Sequence, residues 1–222
     1  LKKLPFKESP CSSQDHYTIV TISAPTKNSP TNKSLDKIKT ELASIYRQSL
    51  RANEMDLYVA GEPLSFEEYP ILEAPFARNP KGDIVRWKKE IDFKFGKYRA
   101  QGFIAILREI NNTQNGLVLL RRGRVIVGAE TDGRYFPKSL FGTQGNFRFK
   151  RLFGELELEG FEVSFNKNDI QDKENLEALM EALKGEIHTK DFDLYAQADE
   201  YRLDETRKVV KKLVKKHDTS AK

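Results

Sequence analysis

The chain has 222 residues, enough for one large or two small domains, and its 38% hydrophobic and 10% aromatic content separates it from disordered chains. Lys and Arg number 38 against 33 Asp and Glu, a net charge of +5 that is too modest for a dedicated nucleic-acid binder. No apolar run reaches the ~18 residues that would span a membrane, and the single Cys11 excludes an intramolecular disulfide framework. One cysteine fits a reducing, cytoplasmic setting and equally a cysteine-poor secreted one.

Residues 1–16, rich in Lys, Pro and Ser, read as a weakly structured lead-in. Tyr17–Ser23 alternates like a strand, and the segment from Pro25 to Asn32 reads as a linker. Ser34 is the expected N-cap of a helix reaching Arg51, with Leu35, Ile38, Leu42, Ile45 and Ser49 on one core-facing stripe. Met55–Ala60 and Pro63–Phe66 predict a hairpin around Gly61-Glu62. Residues 67–82, with Pro70, Pro75 and Pro80 and little periodicity, read as a long loop.

From Ile84 to Glu109 the pattern is β: Trp87, Ile91, Phe93 and Phe95 alternate with polar residues, with one slip at Lys88-Lys89 of the kind a bulge produces. Gly96-Lys97 turns the chain into Tyr98–Leu107, and a polar loop at Asn111–Asn115 leads to Gly116. Gly116–Gly128 reads as strand, tight turn and strand, with Gly123 supplying the turn. Phe147-Arg148-Phe149-Lys150 alternates like a strand with its phenylalanines inward. Leu152–Leu158 and Phe161–Phe165 are strands broken by Glu159-Gly160. The loop Asn166-Lys167-Asn168-Asp169 then carries a single lysine just ahead of an amphipathic helix, Lys173 to about Ile187, capped by Asp169 or Asp172. Phe192 to about Lys216 predicts a long helix whose end is crowded by Lys211, Lys212, Lys215 and Lys216.

A strand, a loop holding one lysine, then a helix, preceded by a Gly-Arg-Val-Ile hairpin, resembles the transducer domain of GHKL ATPases. That superfamily includes DNA gyrase B, MutL, the microrchidia proteins and the large heat-shock chaperones. The microrchidia loop T-H-N-K-Q-D-F is similar to Ser164-Phe165-Asn166-Lys167-Asn168-Asp169-Ile170. The resemblance covers roughly residues 15–190, with no counterpart for 129–150. It implies an α+β fold, a mixed sheet with helices on one face in a ribosomal-protein-like arrangement, followed by a long C-terminal helix. It also implies that Lys167 reaches the γ-phosphate of ATP held by a preceding domain, with Asn166 and Asp169 shaping its loop. Because that contact exists only while the γ-phosphate is present, nucleotide state would couple to domain movement.

The residues that hold Mg-ATP in that superfamily are not found: no Asn/Glu helix, no D-x-G-x-G turn, no glycine-rich lid. Gly142-Thr143-Gln144-Gly145 lacks the strand-to-helix context of a phosphate cradle. The chain also starts at Leu1 rather than Met. The expectation is therefore a C-terminal fragment: 1–24 a lead-in with a last strand of an ATPase domain, 25–190 the transducer, 191–222 a basic helix. Its partners would be that ATPase domain, a second copy of the chain and, by family analogy, DNA; alone it would bind neither ATP nor Mg and would be inert.

Two other classes fit parts of the pattern. Arg121, Arg122 and Arg124, and Arg148, Lys150 and Arg151 among phenylalanines, suit phosphate contacts of a nucleic-acid-binding module, although outward Arg and Lys are usually only solvated. A scaffold binding partners through the last helix is the third class. A metal-dependent nuclease pattern at Asp83, Asp92 and Lys94 is explained as well by exposed cross-strand charge pairs. His16, His188 and His217 are too scattered, and cysteine too scarce, for a metal site, so none is expected.

Overall fold

The computed structural model describes residues 30–130, 132–164 and 169–201, with the single positions 10, 12, 14 and 19. The strand expected at Tyr17–Ser23 (position 19 apart), the loop positions 165–168 and the basic end from 202 onward lie outside the described residues.

Helix α1 spans Asn32–Ile45, and α2, Arg47–Arg51, follows after Tyr46. The N-cap is Thr31, not Ser34. Ser34 stands three residues on and completes a capping box, its hydroxyl accepting the Thr31 N–H at 2.6 Å while Thr31 Oγ1 accepts the Ser34 N–H at 3.4 Å. The expected apolar stripe is only partly covered: Ile38 is 37% exposed, and α1 buries Ala43 and Ser44 instead, because only its last turns meet the sheet.

The β1 (Tyr58–Val59) and β2 (Glu62–Pro63) hairpin turns over Ala60-Gly61, one residue earlier than expected, with both turn residues at positive φ. Part of the stretch read as a loop is a strand: β3 (Glu73–Ala74) pairs antiparallel with β4 (Val85–Arg86), and Ile71, Leu72 and Ala74 are buried. Their apolar residues are interrupted by prolines, so no period marks them.

The main sheet has five strands: β5 (Lys88–Phe95), β6 (Tyr98–Ile106), β7 (Gly116–Arg121), β8 (Arg124–Val127) and β9 (Leu152–Glu159), in the order β5-β6-β9-β7-β8. Strand β9 enters between two hairpins, antiparallel to β6 and parallel to β7. Leu117–Leu120 are buried on both faces, as an uninterrupted apolar run in a central strand requires. Close pairing of β6 and β9 depends on Gly102, whose φ is +138° and where a Cβ would stand 2.0 Å from the Glu155 carbonyl oxygen. No bulge occurs at Lys88-Lys89, since β5 pairs with β6 in unbroken register. The chain instead changes partner at Trp87, which donates its N–H to Leu72 and accepts from the Ile106 N–H.

Helix α3 is Lys138–Phe141, and α4, Phe147–Arg151, replaces the strand expected there. Four alternating residues cannot separate a period of two from a helical turn; packing decides, with Phe149 stacked on Phe136 at 4.3 Å. Helix α5, Lys173–Ile187, starts and ends as expected and is capped by Asp172 rather than Asp169. Its Leu176, Leu179, Met180 and Leu183 cover one sheet face with α3 and with the helical residues 194–201, which bury Leu194 and Ala198. The α+β class with a mixed sheet, helices on that face and a C-terminal helix follows. Opposite, Ile45 of α1 packs on Val118, Leu120 and Val125, while Tyr69 and Ile71 pack on Phe103 and Phe153.

The second expected strand, from Phe161, is not one among its described residues. Phe161 is buried and stacks on Tyr98, and Val163 forms only an isolated bridge to Ile170. Around that bridge the Ser164 N–H donates to the Asp169 carbonyl at 2.9 Å and the Gln171 N–H to the Glu162 carbonyl at 3.0 Å. Residues 161–164 and 169–171, on either side of the positions outside the described residues, therefore lie outside the sheet.

Candidate functional site

The β7–β8 turn is Arg122-Gly123, with φ of 53° and 72°. A two-residue hairpin needs both values positive; glycine meets that at no cost, while arginine tolerates it under strain. Glu157 of the neighbouring β9 fixes the turn, its carboxylate accepting the backbone N–H groups of both Arg122 and Gly123. The hairpin arginines Arg121, Arg122 and Arg124, with Ile126, Phe161 and Val163, line a pocket of about 420 Å³.

Among the described residues these guanidiniums have few partners. Arg121 Nη1 donates to the Leu158 carbonyl at 3.3 Å, and the Arg124 guanidinium stands 6.0 Å from the centre of the Tyr46 ring. Arg124 Nε is buried with no hydrogen-bond acceptor among the described residues, and none of the three arginines pairs there with a carboxylate. Three cations around an apolar floor, with Glu157 bound to the turn backbone and no carboxylate on the guanidiniums among the described residues, make a locally positive, partly desolvated concavity. Anions are attracted to such a place more strongly than to a solvated surface.

Val163, at the root of the lysine loop, lines the same pocket, so the structure brings the hairpin and that root together. The other end of the loop is pinned at the start of α5. The Asp169 carboxylate accepts from Lys173 Nζ at 2.8 Å and from the Ile170 N–H at 2.8 Å; the Lys173 bond, before the others, holds its carboxyl below the usual value. Asp172 accepts from the Tyr98 hydroxyl at 2.5 Å and from Asn175, and the tyrosine bond is the first cause of its lowered pKa. Since Tyr98 also stacks on Phe161 at 4.3 Å, one tyrosine ties both ends of the loop to β6. Lys167 and Asn166 themselves lie outside the described residues.

The second basic group does not form a surface. Arg151 is 1% exposed, its guanidinium 5.3 Å from the Tyr201 ring centre, so it cannot serve as the nucleic-acid contact its sequence neighbours promised. Arg148 lies over Tyr195 at 4.6 Å and pairs with Asp199 at 3.0 Å, while Lys150 is half-buried. The helical turn of α4 explains this, because residues three apart share a face and Arg148 and Arg151 both turn toward the 194–201 helix. Burial pushes the Asp199 carboxyl above its usual range and the Tyr195 hydroxyl up to about 12.

Sequence reading missed the most buried ionic group. Arg47 is fully buried in α2, with Nε donating to the Ser44 carbonyl at 2.8 Å and Nη1 3.3 Å from Glu155 Oε1. Arg51 also pairs with Glu155, and Phe66 lies under the Arg47 guanidinium at 4.3 Å. A glutamate alternating in a strand reads as outward, so nothing local marked Glu155. Asp92 of the weighed nuclease pattern is bonded to Arg99 at 2.7 Å across the β5–β6 pair, and no cluster of three His, Cys, Asp or Glu suited to a metal occurs among the described residues. Gly142–Gly145 joins two short helices, α3 and α4.

Fold and site together define an α+β protein with a mixed five-stranded sheet and an arginine-lined pocket at one hairpin tip. Compared with known proteins, the chain matches no family model and no curated sequence. No helix among the described residues is long and apolar enough to cross a membrane.

Proposed function

We propose that this chain is the transducer module of a GHKL-type, microrchidia-like ATPase. Mg-ATP is held by a preceding nucleotide-binding domain, and Lys167 reaches its γ-phosphate. An ammonium group there stabilises the ground-state anion and the charge that develops during phosphoryl transfer. Loss of the contact after hydrolysis releases the loop, and the α5 helix that begins directly behind it carries the change into the sheet. The reading includes a cytoplasmic setting, nucleotide-dependent self-association and action on DNA.

One observation carries this reading: Val163, four residues before Lys167, shares a pocket with three hairpin arginines that have no carboxylate partner among the described residues. A loop that met only carboxylates would give a phosphate-seeking lysine no electrostatic support. The order hairpin, β9, loop and α5 is also the order the resemblance implies.

The test is ATP turnover by the full-length protein, wild type against Lys167→Ala. A loss of about 100-fold or more is expected for removal of a charge acting on the transition state. Unchanged turnover would remove the γ-phosphate role of Lys167, and no turnover by the wild type would sink the ATPase reading. The hairpin arginines, without a carboxylate partner among the described residues and exposed at Arg122, would then favour the nucleic-acid-binding module, recognised by steep salt dependence of DNA or RNA binding.

A further inference from the structure

We propose that the pocket at the β7–β8 tip is a binding site for a small ligand carrying two or more linked phosphates and an apolar portion. The phosphates meet Arg121, Arg122 and Arg124, and the apolar portion rests on Ile126, Phe161 and Val163. The inference does not depend on the ATPase reading, because it needs only the hairpin and its floor.

Three features of the pocket specify this ligand. No carboxylate pairs with any of the three guanidiniums among the described residues, and Glu157, the acid under the turn, is occupied by the backbone N–H groups of Arg122 and Gly123. Arg124 Nε is a buried donor without an acceptor among the described residues, which a ligand oxygen would supply. Arg122 keeps a left-handed backbone, φ 53°, at a position where asparagine or glycine relieves strain, so a cation is held at the tip despite that cost. Guanidiniums form paired hydrogen bonds to phosphate oxygens, and three of them match more negative charge than one phosphate brings. At about 420 Å³ the space is that of a small-molecule site, larger than an inorganic ion needs.

The experiment titrates the chain with inorganic triphosphate, with ATP and with a short single-stranded DNA, by calorimetry, at two salt concentrations. Variants are Arg122→Ala and Arg124→Ala, with Lys94→Ala as the control that removes one exposed charge from β5, the opposite edge of the sheet. Expected are saturable triphosphate binding, tighter ATP binding (in place of the sequence-based expectation that the chain alone binds no ATP), a loss of about tenfold or more in each arginine variant, and less than about twofold in the control. Unfolding temperatures of the variants check that the fold persists.

DNA binding without triphosphate binding assigns the arginines to a nucleic-acid backbone and overturns the proposal. Equal losses in Lys94→Ala and the arginine variants reduce it to a general field effect and also overturn it, as does absence of saturable binding. Normal triphosphate binding by the arginine variants together with a turnover defect in Lys167→Ala removes this site and leaves the ATPase reading standing. The reverse pair of results does the opposite.

Discussion

Two groups of arginines occupy opposite sides of the same sheet region and behave differently. Arg47 and Arg51, on α2, close around Glu155 under Phe66, with Arg47 fully buried. Arg121, Arg122 and Arg124, on the adjoining hairpin, have no carboxylate partner among the described residues and open onto a pocket. The first group is satisfied by the protein and holds α2 to β9. The second is left for a ligand. Composition cannot tell these apart; only the position of the carboxylates does.

The largest test of this contrast is Glu155→Ala, which leaves Arg47 charged and buried without its partner. Unfolding free energy should fall by about 3–5 kcal/mol, read by urea denaturation, and a loss below ~1 kcal/mol would remove the anchor role. Burial already lowers the pKa of Arg47, and Glu155 is the main opposing influence. Arg148→Ala, between the two extremes, should cost about 1 kcal/mol through loss of the Tyr195 stack and the half-buried Asp199 pair. It should also raise the Asp199 carboxyl further, because Arg148 now restrains the upward push of burial; an NMR titration of that carboxyl would register no change if the pair were idle.

Acid should then loosen the start of α5. Asp169 and Asp172 have folded-state pKa values below the ordinary 3.8, so their contribution is complete above that value and is lost as pH falls through the depressed values. Amide exchange at Asn175, which donates to Asp172, should accelerate first in that window, ahead of Leu183 deeper in α5. The smallest effect on stability belongs to Arg122→Ala, expected within about 0.5 kcal/mol of wild type by the same denaturation. A large loss there would mean that the hairpin arginines are structural after all.

Long elements were legible in the sequence because their periods repeat. Gly116–Gly128 announced its hairpin, β9 alternates from Glu155 to Glu159, and α5 shows three- and four-residue steps over its whole length. Short ones were not: four residues of α4 carry too little period to separate helix from strand, and β3 lies among prolines. The Thr31 cap eluded a reading centred on Ser34, since both residues belong to one reciprocal pair of hydrogen bonds.

The sequence by itself determined the α+β class, the hairpin with its arginines and the apolar face of α5, all of which depend on neighbours within about one helical turn or one strand. Tertiary structure alone decided that β9 enters between the two hairpins, that Arg151 and Arg47 are buried, and that Val163 reaches the pocket of Arg121, Arg122 and Arg124. Side-chain period fixes which face a residue takes. Which distant carboxylate, ring or guanidinium meets that face is settled only when the strands pair.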